Sequence, residues 1–178
     1  PKTLMSAMRK LGNPNVAQIV SGAENVAYNA SFTVSNLPAK DHGAVATTLQ
    51  ANGVKLSGKA IYGVVDAKLL ADGEEVQPNG TITIQVCVPA EVRDKNFTLY
   101  HIHTDAATGA VSVMSLPTSA IDANGFVTFE TDKLSQFAFV AEAPATTSTA
   151  FVAVAVSLAL VALTGTGIVL GKKKFSHN

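Results

Sequence analysis

The stretch from Ala150 to Leu170 limits what this chain can become more than any other: 21 residues without a charge, running into Gly171 and then Lys172, Lys173 and Lys174. At about 1.5 Å of rise per residue, a helix of this length spans roughly 31 Å, close to the hydrocarbon thickness of about 30 Å of a bilayer. Inside hydrocarbon the backbone must satisfy its own hydrogen bonds. A helix of Ala, Val and Leu does so, with Ser157, Thr164 and Thr166 able to bond back to carbonyls. A helix buried in a globular core would keep a polar face, and this one has none. The expectation is a single transmembrane helix over 150–170 and a basic tail over 171–178. Gly167 and Gly171 add a small-xxx-small spacing that lets two such helices approach.

Orientation follows from the flanks. Between Lys133 and the helix the chain has no Lys or Arg, only Glu142 and a Pro/Thr/Ser linker over 142–149. The positive-inside rule therefore puts the tail in the cytoplasm and everything before Ala150 outside. The competing topology is a tail-anchored protein with residues 1–149 in the cytosol. The first ten residues lack the apolar core of a signal peptide, and there is no initiator Met. The chain therefore reads as the C-terminal piece of a longer surface protein, or as one whose leader has been removed. Residues 1–12 stay unassigned, with one or two helical turns as an option.

Ahead of the linker lie about 140 residues, enough for one domain with its own core. Lys plus Arg and Asp plus Glu number 13 each, and the basic residues are scattered except at the tail, which excludes an electrostatic footprint for nucleic acid. Residues 13–141 are rich in Val, Thr, Ala, Gly and Asn, the palette of an all-β domain. Cys87 is the only Cys, so no disulfide forms within the chain, and a Cys-poor exported β domain leans towards a Gram-positive bacterial surface.

Asn52-Gly53, Asp72-Gly73, Asn79-Gly80 and Asn124-Gly125 punctuate this region as turns. Between them, Ile82, Ile84, Val86 and Val88 alternate with polar residues. Phe126–Glu130 and Phe137–Val140 read as further half-buried strands, one face in the core. Others are expected at 18–20, 26–34, 60–70, 98–103 and 110–114. Strands recurring without an intervening helical pattern predict an antiparallel, Ig-like β-sandwich over 13–141.

Candidate chemistry is sparse. His101 and His103 lie two apart on a predicted strand, so they share a face and could share a metal, with Asp105 as a third ligand. No Cys or carboxylate cluster completes that site, and neither a metal nor a cofactor is expected. His42, His101 and His103 coexist with several Ser and Asp residues, but no nucleophile elbow singles out a catalytic residue. Cys87 alternates with apolar neighbours and reads as a small core side chain. Asn29, Asn79 and Asn96 begin glycosylation sequons.

The stretches Tyr62–Leu70, Gly73–Pro78, Ile82–Val86, Leu99–His103 and above all Phe126-Val127-Thr128-Phe129-Glu130-Thr131-Asp132-Lys133-Leu134-Ser135-Gln136-Phe137-Ala138 resemble the C-terminal β-sandwich domain of Gram-positive cell-surface and cell-wall proteins. The resemblance implies a stalk or adhesion-supporting module with cell-wall or host-surface ligands reached through upstream domains, not an enzyme. A Leu-Pro-x-Thr-Gly sortase signal is absent before the apolar segment, and Leu116-Pro117-Thr118-Ser119 is the nearest approach. Membrane retention is therefore expected rather than covalent attachment to the wall. Such domains sometimes carry a Lys–Asn isopeptide crosslink, which the sequence does not assign. Lys133-Leu134-Ser135 also resembles the self-cleavage step of adhesion-receptor domains, which would make Ser135 a nucleophile. That motif takes its base from a His two residues earlier, where this chain has Lys133. Thr131 and Asp132 beside it suggest a solvated edge.

Overall fold

The computed structural model describes residues 11–145. The chain divides into a compact unit ending at Ala143 and a second unit from Pro144, most of which is outside the described residues. Among the described residues no helix is long and apolar enough to cross a membrane. The expected span over 150–170, the tail over 171–178, Gly167 and Gly171, residues 1–10 of the N-terminal segment and residues 146–149 of the linker lie outside them.

Among the described residues the first unit has ten strands and one α-helix, with three short 3-10 turns between them: β1 (Gly12–Asn13), β2 (Ala17–Ser21), β3 (Ala30–Asn36), α1 (His42–Ala51), β4 (Lys59–Ala71), β5 (Glu74–Val76), β6 (Ile82–Cys87), β7 (Phe97–Thr104), β8 (Val111–Leu116), β9 (Phe126–Thr131) and β10 (Gln136–Glu142). They form two antiparallel sheets. The smaller has the order β1-β2-β6-β9 and the larger β3-β4-β10-β7-β8, with β5 added to β4. The main core gathers Ile82, Ile84, Val86, Val127 and Phe129 from the smaller sheet and Val65, Ala67, Leu69, Leu99, Phe137 and Phe139 from the larger. Each such fully buried Ile, Leu, Val or Phe contributes about 1.5–3 kcal/mol. The alternation read over 82–88 is the inward face of β6 and the residue after it: Ile82, Ile84, Val86 and then Val88 are all at most 1% exposed.

The turn dipeptides serve different ends. Asp72 (φ 53°) and Gly73 (φ 86°) close the two-residue hairpin between β4 and β5, where Ala71 pairs with Glu74. Two consecutive positive φ values give the turn a twist that matches the strands. Asn52-Gly53 instead terminates α1. The Gly53 N–H reaches the Gln50 carbonyl and the Val54 N–H the Leu49 carbonyl, the two bonds of a Schellman cap, with Gly53 at φ 86°.

Helix α1 corrects the reading of a region without helices, and it also corrects β10. Val45 and Leu49, one turn apart, bury themselves against Val64, Ile102, Ala138 and Val140 on the outer face of the larger sheet. That face is therefore partly covered, and β10, which lies between β4 and β7, is buried on both sides rather than one. Phe137 and Phe139 point to the smaller sheet while Ala138 and Val140 point to the helix.

A bulge in β4 sets the end of β10. Phe139 pairs with Gly63 and Val140 with Ile61, leaving Tyr62 as the extra residue. The Tyr62 hydroxyl donates to the Glu142 carbonyl at 2.8 Å and accepts from Lys95 Nζ at 2.9 Å. Gly63 fits this bulge because a Cβ there would lie 2.8 Å from Pro89 Cγ.

Candidate functional site

Pairing of β7 with β10 sets His101 opposite Phe137, and both side chains point between the sheets. The rings stack at 4.7 Å and 12°, with Phe129 against the other part of the cluster at 4.9 Å from Phe137. His101 is 3% exposed. His103, two residues on and on the same face, has its ring centroid 5.9 Å away. His101 Nε2 and His103 Nδ1 are buried with no hydrogen-bond partner. Burial, reinforced by His103, holds the His101 pKa down to about 4 against the pull of Asp132, with Lys133 also lowering it. His101 is thus a neutral imidazole at pH 7.

The structure brings His101 and His103 together as their spacing requires, and Asp105 lines the same cleft as His103, but its carboxylate is engaged in a turn of its own. Asp105 Oδ1 accepts from the Ala107 N–H at 3.0 Å and from the Thr108 N–H and hydroxyl, both at 2.8 Å. Those bonds organise the turn after β7 and hold the Asp105 pKa below the usual carboxylate value. Among the described residues no three His, Cys, Asp or Glu side chains are grouped so as to hold a metal ion.

Beside His103 opens a cleft of about 630 Å³ whose wall includes Asp66, Lys68, Glu75, Lys133, Ser135 and Gln136. Lys68 Nζ bridges Asp66 at 3.9 Å and Glu75 at 3.3 Å. Burial raises the Asp66 pKa, partly offset by the Lys68 charge. Ser135 and His103 both line this cleft, and His103 Nδ1 is buried with no hydrogen-bond partner, so that nitrogen is not paired with the Ser135 hydroxyl.

Sequence reasoning passed over Gln77. Its side-chain amide acts as a strand partner for Leu134: the Leu134 N–H donates to Gln77 Oε1 at 2.7 Å, and Gln77 Nε2 donates to the Leu134 carbonyl at 3.2 Å. The Ala67 N–H donates to the Ser135 carbonyl at 2.9 Å. Both peptide groups entering β10 are thereby paired before the strand begins. Nothing in the local sequence marks this role, because the partners are joined only by the fold.

Lys133 is exposed, as is Asp132, but Thr131 is not the solvated residue expected. It is 8% exposed, its hydroxyl donating to the Lys133 carbonyl at 2.7 Å and accepting from the Lys133 N–H. Cys87 also departs from expectation. Ile82, Ile84 and Val86 take the inward face of β6, so Cys87 turns outward, half-buried, with Arg93 Nη2 at 3.6 Å from its sulfur. The sequon residues Asn29, Asn79 and Asn96 are exposed, and His42 contacts the Leu37 carbonyl at the start of α1 at 3.2 Å. Among the described residues no Lys is buried, so the buried Lys that an isopeptide crosslink requires is not found there. Comparison with protein-family models, curated proteins and solved structures gives no match.

Proposed function

We propose that this chain is a non-enzymatic, membrane-anchored cell-surface domain of Gram-positive type: an Ig-like sandwich that stands off the bilayer and supports adhesion or stalk modules N-terminal to it. The observation that carries this reading is the charge-free run over 150–170 followed by Lys172, Lys173 and Lys174. Its partners are the lipid bilayer and, through upstream modules, cell-wall or host-surface ligands.

The wiring of β10 supports the reading. This strand leads directly into the linker, and it is hydrogen-bonded to β4 along one edge and to β7 along the other. Tension entering at Glu142 along the strand would load these antiparallel bonds together, in shear, rather than peel them apart singly. Tyr62 and the Ala143 N–H, which donates to the Gly58 carbonyl at 2.9 Å, secure the exit point.

The test is topology. In cells making the chain with a tag after Asn178, protease added outside should digest epitopes within residues 11–143 and spare the tag. Protection of the folded domain, with the chain still in the membrane fraction, would replace this reading with the tail-anchored one.

A further inference from the structure

We infer that β8 is a self-association edge, at which a second copy of this chain adds its own β8 in antiparallel pairing. In the larger sheet β8 is the terminal strand, paired with β7 on one side through six successive residue pairs, Leu99–Leu116 to Thr104–Val111, without a bulge. Its outer edge therefore offers a regular row of N–H and C=O groups. Proteins commonly blunt such edges with Lys, Pro, a bulge or a very short strand. From Ala106 to Ile121 this chain has no charged residue, and Pro117 falls just beyond the strand.

The other edges are treated differently. β1 has two residues. β9 has Ser119 alongside it, the Ser119 N–H donating to the Thr128 carbonyl and the Thr128 N–H to the Ser119 hydroxyl, both at 2.9 Å. β3 has Gly12 of β1 against Phe32, and its outward residues Ser31, Thr33, Ser35 and Asn36 are polar. On β8, by contrast, Val111 is 41% and Met114 54% exposed.

A second copy is the occupant these features select. The edge needs an uncharged β-forming segment of matching length, and β8 is itself such a segment, so two copies meet without opposing like charges. A two-fold axis perpendicular to the sheet requires directly opposed residues to lie on the same face, so the axis passes through a residue paired with itself. Val113 is already half-buried, packed with the cluster under α1, whereas Met114 is open. An axis at Met114 sets Met114 against Met114 and Ser112 against Leu116 of the second copy. Pairing then stops where Pro117 has no N–H to give. The two larger sheets become one continuous sheet across the dimer. This edge lies within the folded unit, so the inference stands or falls separately from membrane topology.

Single-Cys forms of residues 1–178 in detergent micelles, all with Cys87→Ala, test both the pairing and its register. Opposed residues of an antiparallel pair have Cα atoms within disulfide range. On mild oxidation Met114→Cys should convert to covalent dimer, and Ser112→Cys should do so only when mixed with Leu116→Cys. Thr47→Cys, on the exposed side of α1, should remain monomeric, and Met114→Lys added to the Ser112→Cys and Leu116→Cys pair should abolish their crosslink. Circular dichroism identical to the parent chain confirms that each variant is folded. Crosslinking at Thr47→Cys equal to that at Met114→Cys, or efficient homodimer at Val113→Cys in place of Met114→Cys, would overturn the proposal. So would folded variants that fail to crosslink at all, which would leave the edge to a strand of another protein.

Discussion

Between pH 6.5 and pH 4 the titration of His101 should cost this domain stability. In the unfolded chain the imidazole takes up a proton near its ordinary pKa of 6.5, whereas in the folded domain burial and His103 hold it down to about 4. Within that window the unfolded state binds one proton more than the folded state, so stability falls as pH falls, by about 1.4 kcal/mol per pH unit. Above pH 6.5 both states are neutral and the effect vanishes. Below about pH 4 both are charged and it levels off. The whole window amounts to about 3 kcal/mol, which for a domain of this size corresponds to roughly 10 °C in melting temperature. Asp66 acts in the opposite direction, since a raised carboxylate pKa makes the folded state the better proton binder on the acid side. Its contribution cancels when the parent is compared with a variant at position 101.

His101→Phe is that variant. It keeps a flat ring against Phe137, removes the titrating nitrogen, and also removes a buried Nε2 that has no partner. Melting followed by circular dichroism from pH 8 to pH 4 should show the parent dropping away from His101→Phe below pH 6.5, the gap widening to its full value near pH 4. At pH 7.5 the variant should be at least as stable as the parent. Parallel curves across the window, or an NMR titration placing His101 near 6.5 in the folded domain, would refute the argument.

Gln77→Ala should destabilise by about 1–3 kcal/mol, because Leu134, 0% exposed, loses the partner of its N–H, while Gln77→Glu should retain an acceptor and recover part of the loss; chemical denaturation reads both. No cleavage should occur between Leu134 and Ser135. Lys133 is exposed, His103 Nδ1 is paired with nothing, and Gln77 and Ala67 hold the flanking peptide groups in strand-like pairing. Mass spectrometry of the purified chain should therefore find it unbroken there, and a new N-terminus at Ser135 would revive the nucleophile and end the non-enzymatic reading.

What the sequence made legible is local. The alternation of Ile82, Ile84 and Val86 needs only the two-residue repeat of a strand to be read, and Asp72-Gly73 needs only a hairpin's demand for positive φ. Helix α1 escaped because only Val45 and Leu49 of its ten residues are buried, a single i to i+4 step among Gly43, Thr47 and Thr48, and because Asn-Gly signals a hairpin as readily as a helix end. That omission carried over to β10. Without the helix, Ala138 and Val140 had no visible reason to be buried, although the unbroken apolar run Phe137-Ala138-Phe139-Val140-Ala141 is what a strand covered on both faces looks like. The histidines divide in the same way. Spacing alone places His101 and His103 on one face, but whether that face offers ligands or a phenylalanine depends on which strand lies alongside. β10 does, bringing Phe137 to His101, and the Asx turn at Asp105 engages the carboxylate of the third candidate ligand. The same long-range pairing makes Gln77 the partner of Leu134, so the residues that govern the entry to β10 and the pH response of the core were fixed by sheet order, which one sequence does not reveal.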